Sequence, residues 1–235
     1  MIHAACVLVI ALALAILPAS SDAAVLSTST FDTGTEGWQA FTNGPGFPTV
    51  PVIFSPAGGN PGGALRHNAP SDNLTSSFLA PSGVVNALHS AIGGSIAWDI
   101  STLSSPGDIL FSDIDLGVRA GDLRIRQFLT PPAPATNPAY THYDVDFSAA
   151  AGWDFFDGVT TSIATQAQID TVLAGATVLF IRAEYFSSTL PDVGFLDNVI
   201  IESASATVPF PSTLLLLGAG VGLAWLASRG MVRMS

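Results

Sequence analysis

Alternating apolar and polar positions run through the middle of the chain and predict β-strands. Residues 143–147 read Tyr-Asp-Val-Asp-Phe, with both Asp on one face, and residues 123–128 begin with apolar positions that alternate with Arg. Residues 176–186 and 195–201 are longer runs of β-branched and aromatic residues. Runs of this kind, bounded by Gly, Pro, Asn and Ser, are strand signals. The pattern predicts one strand-rich domain over residues 25–203.

One segment instead has the periodicity of a helix. Thr165 and Gln168 have the spacing of a capping box, and Gly175 stands where a glycine that ends a helix belongs. Apolar residues fall at helical spacing between them: Ile169, Val172 and Leu173. Many strands with one short helix predict an all-β fold, a jelly-roll β-sandwich. The Pro- and Gly-rich stretches 44–63 and 130–138 are expected to be surface loops.

Two apolar segments flank this domain. Residues 4–17 are apolar, and the small residues Ser21 and Ala23 fit a signal-peptidase site, so residues 1–23 are predicted to be a signal peptide that enters the Sec translocon. Its Cys6 is the one cysteine of the chain, which leaves the exported domain without a disulfide framework. Residues 214–227 are apolar and precede basic residues, which predicts a transmembrane helix with a cytoplasmic end.

Residues 208–235 resemble the PEP-CTERM sorting signal of bacterial exported proteins. The matching positions are a proline motif and a thin basic end: Val208, Pro209, Phe210, Pro211, Ser212, Arg229 and Arg233. Phe210 stands where the family usually has Glu. The resemblance implies transient anchoring in the inner membrane and cleavage near the motif by an exosortase, a membrane-embedded cysteine transpeptidase, followed by display on or release from the cell surface. A plain C-terminal anchor with a proline-rich neck is the alternative.

The charge of the chain narrows the range of its partners. The net charge is −11, and the chain contains no Lys. Nucleic-acid binding needs a basic stripe to neutralise phosphates, so this composition argues against it. An acidic surface permits Ca²⁺, which takes hard oxygen ligands.

Several short motifs resemble the laminin B (laminin IV) domain, and they occur in the order of that family over residues 30–202. They lie at residues 31–38, 78–81, 96–100, 152–153, 169–175, 180–185 and 196–199. The resemblance implies a jelly-roll sandwich related in shape to galactose-binding-like carbohydrate modules. It also implies binding or scaffolding rather than catalysis.

The same resemblance implies a structural calcium site. In galactose-binding-like modules the first and last strands often lie side by side, and a calcium ion commonly joins their ends. Asp32 and Glu36 follow the first predicted strand, and Asp197 lies in the last. Three carboxylates that meet there would repel each other unless a cation or hydrogen bonds intervened. In the alternative, Asp32 caps a turn and Asp197 accepts hydrogen bonds from backbone amides.

Three tryptophans of the domain are candidates for stacking on sugar rings: Trp38, Trp98 and Trp153. Each stands within or beside apolar neighbours, so packing in the core is the alternative.

Catalytic motifs are absent from the sequence. The three histidines of the domain, His67, His89 and His142, are far apart in the sequence, which argues against a zinc site. Three pairs of carboxylates have a spacing that a glycosidase could use: Asp113 and Asp115, Asp144 and Asp146, and Asp154 and Asp157. On a strand, such pairs are ordinarily a solvated face. The sequence therefore predicts a non-enzymatic exported protein that binds or scaffolds extracellular polysaccharide. The alternatives are a glycan-active hydrolase and a structural surface protein without a ligand.

Overall fold

The computed structural model describes residues 22–42, 48–69, 75–103, 109–110, 113–129, 135–187 and 192–205. Their compact unit spans Ala23–Ala204. The sorting signal over residues 208–235 lies outside these ranges, as does the signal peptide except for its last two residues. No helix in the described ranges is long and apolar enough to cross a membrane.

The described residues form seventeen β-strands, two α-helices and two short 3₁₀ turns. The strands are β1 (Val25–Ser29), β2 (Gln39–Thr42), β3 (Thr49–Pro51), β4 (Ile53–Gly59), β5 (Gly62–Asn68), β6 (Ser76–Leu79), β7 (Ser95–Leu103), β8 (Ile109–Leu110), β9 (Leu116–Ala120), β10 (Leu123–Gln127), β11 (Ala135–Thr136), β12 (Thr141–Asp146), β13 (Asp154–Phe156), β14 (Thr161–Ile163), β15 (Val178–Arg182), β16 (Phe186–Ser187) and β17 (Val193–Glu202). The helices are α1 (Ser82–Ala87) and α2 (Gln166–Ala174), and the 3₁₀ turns are Leu88–Ser90 and Ala149–Ala151.

The strands form two large sheets. One has the order β11-β7-β17-β5-β4, with β1 on β17 and β12 on β7. The other has the order β14-β13-β10-β9-β15-β6-β2-β3, and β8 pairs separately with β16. The first strand, β1, lies antiparallel to the last, β17, with Ser29 opposite Val199. The predicted β-sandwich and its neighbouring terminal strands are confirmed.

The core lies between the sheets because apolar residues alternate along the strands. In β12, Tyr143 and Val145 are buried, whereas Asp144 and Asp146 are exposed, as the sequence pattern predicts. Side chains from both sheets join one apolar cluster, which includes Ile96, Trp98, Ile100, Leu116, Val118, Ile125, Leu179 and Ile181. Burial of this much apolar surface is the main stabilising contribution to the domain.

Helix α2 begins and ends where the sequence predicts. The Thr165 side chain and Gln168 form the full capping box. Three apolar residues of α2 are buried: Ile169, Val172 and Leu173. The helix ends at Ala174 and Gly175 caps it as predicted, but with φ −108° rather than in the left-handed conformation that is common for such glycines. The six-residue helix α1 is a second helical segment that the sequence pattern does not indicate.

The predicted surface loop over residues 44–63 is wrong for most of residues 48–63, and residues 44–47 lie outside the described residues. Residues 48–63 include strands β3 and β4 and the start of β5, and β4 and β5 are the two strands of a hairpin. A Cβ on Gly63 would lie 2.1 Å from the Phe31 carbonyl oxygen. The backbones approach so closely that only glycine fits, which is why a composition typical of loops occurs in a strand. Of the predicted loop over residues 130–138, residues 130–134 lie outside the described residues, and Ala135–Thr136 form the short strand β11.

Candidate functional site

The three tryptophans lie in the core rather than on the surface. Trp38 is 2 % exposed, and Trp98 and Trp153 are fully buried. The Trp38 indole N–H donates to Ser29 Oγ at 3.1 Å, and the Trp153 indole N–H donates to the Asp146 carbonyl at 2.8 Å. A ring that is covered on both faces cannot stack on a sugar, so the core alternative holds for all three.

A cluster of polar side chains lies at the end of the sandwich where Ser29, the last residue of β1, pairs with Val199 of β17. Asp197 in β17 stands opposite Asp99 in β7. One carboxylate oxygen of Asp197 accepts from the Asn60 amide at 2.6 Å, and the other accepts from the Asn198 amide at 2.7 Å. Asn198 Nδ2 donates to Asp99 Oδ2 at 2.9 Å and to the Asn60 carbonyl at 2.8 Å. We call Asp32, Asn60, Asp99, Asp197 and Asn198 the acidic junction.

Asp32 lies next to this cluster, whereas Glu36 does not. A Cβ on Gly62 would lie 2.5 Å from Asp32 Oδ1, so the Asp32 carboxylate lies against the β4–β5 turn. Its other oxygen accepts from Thr30 Oγ1 at 3.0 Å. Glu36 Oε1 accepts from the Phe31 amide at 2.7 Å. Asp32 therefore lies near Asp197, whereas Glu36 stabilises the backbone of its own loop.

Electrostatics at the acidic junction disfavour an ionised Asp197. Burial, with smaller contributions from Asp99 and Asp32, raises the pKa of Asp197 to about 6, although the Asn60 and Asn198 amides act in the opposite direction. His142 Nδ1 lies 2.7 Å from Asp99 Oδ1, but its side chain is 62 % exposed. A cation would relieve the repulsion among these carboxylates.

The structure brings Asp32 and Asp197 close together but leaves Glu36 bonded to its own loop. In the part of the chain that the structure describes, no group of three or more His, Cys, Asp or Glu residues is placed to hold a metal ion. The Asp197 oxygens accept from backbone amides, which is the contact pattern of the alternative without metal. A calcium site at Asp32, Glu36 and Asp197 therefore stays a prediction.

A groove of about 410 Å³ lies on the outer face of the eight-stranded sheet, away from the acidic junction. Its lining comes from neighbouring strands β2, β3, β6, β15, β9 and β10 and from two adjoining loops: Phe41, Thr49, Thr75, Ser77, Leu79, Asp113, Ile114, Arg119, Arg124, Val178 and Phe180. Most of these side chains stand at alternate strand positions whose neighbours point into the core. The groove combines aromatic rings with hydroxyl, carboxylate and guanidinium groups.

The floor of the groove is built around Phe180 and a glycine. Phe180 in β15 stands opposite Gly117 in β9. A Cβ on Gly117 would lie 2.1 Å from the Phe180 ring, so the ring lies over the bare backbone of β9. The Phe41 ring meets it edge-on, with centroids 5.8 Å apart and planes at 90°. This pair fixes an apolar surface among polar groups.

The six aspartates considered for catalysis have separate surroundings. Asp115 is 4 % exposed and accepts from Leu129 N at 2.8 Å, and Arg182 Nη1 lies 3.5 Å away. Burial raises the pKa of Asp115. Asp113 accepts from Thr75 Oγ1 and, at 2.7 Å, from the Ile114 amide.

The other two pairs lie on the surface. Asp144 and Asp146 are exposed on β12. Asp154 Oδ2 lies 4.0 Å from Arg126 Nη2. Asp157 caps a turn, and hydrogen bonds from the Thr160 and Val159 amides lower its pKa. Asp113, Asp115, Asp154 and Asp157 thus have local structural contacts, whereas Asp144 and Asp146 are exposed on β12, and hydrolysis stays the alternative function.

Two arginines of the groove that the sequence analysis missed had a sequence signal, whereas the contact of Phe180 with Gly117 had none. Gly121 and Asp122 form a two-residue turn between β9 and β10, which places Arg119 opposite Arg124. The sequence shows the alternation of apolar residues and Arg in β10. In a hairpin with a two-residue turn at Gly121 and Asp122, Arg119 and Arg124 are equally far from the turn and therefore pair. Phe180 was visible within an apolar run, but nothing local shows that Gly117 lies beneath its ring.

Comparison with known proteins shows which fold this chain shares but not which family it belongs to. No protein-family model matches the chain, and no curated protein is similar in sequence. The L4b domain of human laminin α-2 superposes with a TM-score of 0.55 and 12 % identity, over 77 % of this chain and 98 % of that domain. The CBM22-1 xylan-binding domain of Paenibacillus barcinonensis Xyn10C gives a TM-score of 0.43 and 14 % identity, over 80 % and 99 %. The laminin superposition shows a shared fold, which confirms the expected architecture.

Proposed function

We propose that this chain is an exported, non-enzymatic β-sandwich protein that binds extracellular polysaccharide in the groove on its eight-stranded sheet. The observation that carries the proposal is the placement of Phe180 over Gly117 among polar side chains. Aromatic rings offer sugars an apolar face, and hydroxyl groups nearby offer hydrogen bonds. A volume of about 410 Å³ suits a few sugar units rather than a large surface.

The polar lining would fix the orientation of the sugar. Ser77 and Thr49 lie on the strands on either side of Phe41, since Phe41 stands opposite Ser77 in β6 and opposite Thr49 in β3. Their hydroxyl groups can donate and accept, which matches the hydroxyl groups of a sugar ring. A strand-built floor also holds these groups more rigidly than a loop would.

The terminal segments of the sequence support a route to the outside of the cell. The signal peptide over residues 1–23 would lead the chain through the Sec translocon, and the segment over residues 208–235 would hold it in the inner membrane until an exosortase cleaves it. The acidic, Lys-free composition argues against nucleic acid as partner.

Affinity electrophoresis of the full-length chain in mild detergent, with soluble polysaccharides cast in the gel, tests the proposal. We expect retardation by at least one polysaccharide and about tenfold weaker retardation for Phe180→Ala, because losing one stacking ring removes on the order of 1–2 kcal/mol. Phe128→Ala is the matched control, since Phe128 is 47 % exposed and lies outside the groove. Release of reducing sugar would indicate a hydrolase, and absence of any retardation would indicate a structural protein without a ligand.

A further inference from the structure

Two arginines face each other across the strands at one end of the groove. Arg119 in β9 and Arg124 in β10 are direct partners in the antiparallel register, and both line the groove. Like charges directly opposite each other destabilise a strand pair. A residue pair that destabilises the domain without a compensating contact is typical of a functional site, such as a ligand-binding site.

Neither arginine has a carboxylate partner in the described residues. The ion pairs found there join Arg126 to Asp154, His142 to Asp99 and Arg182 to Asp115. Arg119 Nε donates to the Gly121 carbonyl at 2.6 Å. In the same described ranges, Arg124 Nε is buried and has no hydrogen-bond partner.

Phe156 holds the Arg124 guanidinium in place from the other side. The Arg124 Cζ atom lies 5.4 Å from the Phe156 ring centroid, and Arg126 Cζ lies 5.5 Å from the same centroid. Arg126 also donates to Thr161 Oγ1 at 2.9 Å. An aromatic ring beneath a guanidinium reduces its freedom without neutralising its charge.

The local charge contrasts with the charge of the whole chain. Three of the seven basic residues share this sheet face, namely Arg119, Arg124 and Arg126, although the net charge is −11. Burial, followed by the proximity of Arg119 and Arg126, lowers the pKa of Arg124, and Asp122 offsets part of this effect. The environment therefore disfavours the Arg124 cation, and an anion bound beside it would reverse that.

We infer that the groove binds an acidic polysaccharide, and that Arg119 and Arg124 together hold the carboxylate of a uronic acid unit while Phe180 contacts a sugar ring. The inference rests on the proposed function and specifies its ligand class. Guanidinium groups present planar N–H forks that match a carboxylate with two parallel hydrogen bonds. The acidic surface elsewhere would repel a polyanion, so binding depends on this pair of arginines rather than on general attraction.

The test is titration of the full-length chain, in mild detergent, with polygalacturonate and with the same polymer after full methyl esterification. The two polymers share a backbone and differ in charge. We expect the esterified polymer to bind at least tenfold more weakly, and Arg124→Gln to weaken binding of polygalacturonate at least tenfold without changing binding of the ester. Arg66→Gln is the control, since it removes the same charge from β5 in the other sheet. Arg124→Lys should fall between wild type and Arg124→Gln, because a point charge lacks the fork.

Dextran sulfate and dextran distinguish the kind of anion. Equal affinity for dextran sulfate and polygalacturonate, with the same loss in Arg124→Gln, would overturn the assignment to a carboxylate. Equal affinity for polygalacturonate and its ester would overturn the acidic ligand and leave the proposed function standing. If the chain binds none of these polymers and does not bind neutral xylan, both the acidic ligand and the proposed polysaccharide binding are overturned. A melting temperature of Arg124→Gln close to that of the wild type shows that the fold is intact. If Arg124→Gln melts at a much lower temperature, Arg119→Gln replaces it as the test variant.

Discussion

Asp99 and Asp197 stand directly opposite each other on β7 and β17, 6 % and 0 % exposed. Among the described residues, no Arg forms an ion pair with either. Amide groups of Asn60 and Asn198 donate to both Asp197 oxygens, Asn198 Nδ2 also donates to Asp99 Oδ2, and His142 Nδ1 lies 2.7 Å from Asp99 Oδ1. Asn198 lies within the bulge between Asp197 and Ile200 and has a left-handed backbone, with φ 49°. Burial raises the pKa of Asp197, so this end of the sandwich is sensitive to pH.

We predict that Asp197 stabilises the fold as the pH falls. Its folded pKa is about 6, against an ordinary value of 3.8. The folded state therefore takes up a proton before the unfolded state does, and the free energy of unfolding gains up to about 3 kcal/mol between pH 6 and pH 3.8. Urea unfolding of wild type and Asp197→Asn in chelator measures this gain as the difference in slope. Parallel profiles for the two proteins over this range would contradict the prediction.

His67 is expected to act in the opposite direction. Burial lowers the pKa of His67 from 6.5 to about 4, and its side chain packs edge-on against Phe78. The unfolded state is protonated first as the pH falls, so up to about 3 kcal/mol of stability is lost between pH 6.5 and pH 4. His67→Leu should be relatively more stable than wild type at pH 4 than at pH 7.5. His89→Leu is the control, and an identical pH profile for wild type and His67→Leu would show that His67 does not titrate in this range.

Calcium is predicted to stabilise the domain through the acidic junction. Bound calcium at a hundredfold excess over its Kd contributes about 2.7 kcal/mol, which raises the melting temperature by roughly 5–10 °C for a domain of this size. Asp32→Asn keeps an acceptor for Thr30 and removes the charge, so it should reduce the calcium response. Thermal melts with calcium and with chelator measure it. A wild-type melting temperature that chelator does not change would exclude the site.

Gly117→Ala should destabilise the fold by about 1–3 kcal/mol, because the new Cβ would lie 2.1 Å from the Phe180 ring. The ring must then leave the floor of the groove, so polysaccharide binding should fall as well. In a Phe180→Ala background the same substitution should cost less, and a double-mutant cycle of unfolding free energies measures the coupling. Equal costs in both backgrounds would mean that strain arises elsewhere than at the ring.

Processing is predicted to remove the basic end of the chain. Deletion of residues 208–235 should yield a soluble exported form, and replacement of Pro209 and Pro211 by Ala should make the full-length precursor accumulate in the membrane. Intact mass of the surface protein measures the outcome. A mature mass that still includes Arg229 and Arg233 would argue against exosortase cleavage and for a plain anchor.

The sequence by itself determined the features that depend on local periodicity. Alternation in residues 143–147 gave β12 its buried and exposed faces, and the Thr165 and Gln168 capping box gave α2 its first residue. Both signals arise within a few residues, since a strand repeats every two positions and a cap needs four. Short motifs in the order of the laminin family then led to the fold, which superposition on a laminin domain confirms.

Only the tertiary structure decided which side chains meet. Trp98 stands among apolar neighbours whether it is buried or exposed, and burial follows from the second sheet that covers it. Asp99 and Asp197 are far apart in sequence, and Gly117 and Phe180 likewise, yet each pair is joined by strand register. Register between distant strands depends on the packing of both sheets at once, and no local pattern encodes it. For that reason the groove and the contacts of Asp99 and Asn60 in the acidic junction could not be predicted from the sequence. The strands that carry them could be predicted, and the laminin resemblance had implied that Asp32 and Asp197 meet.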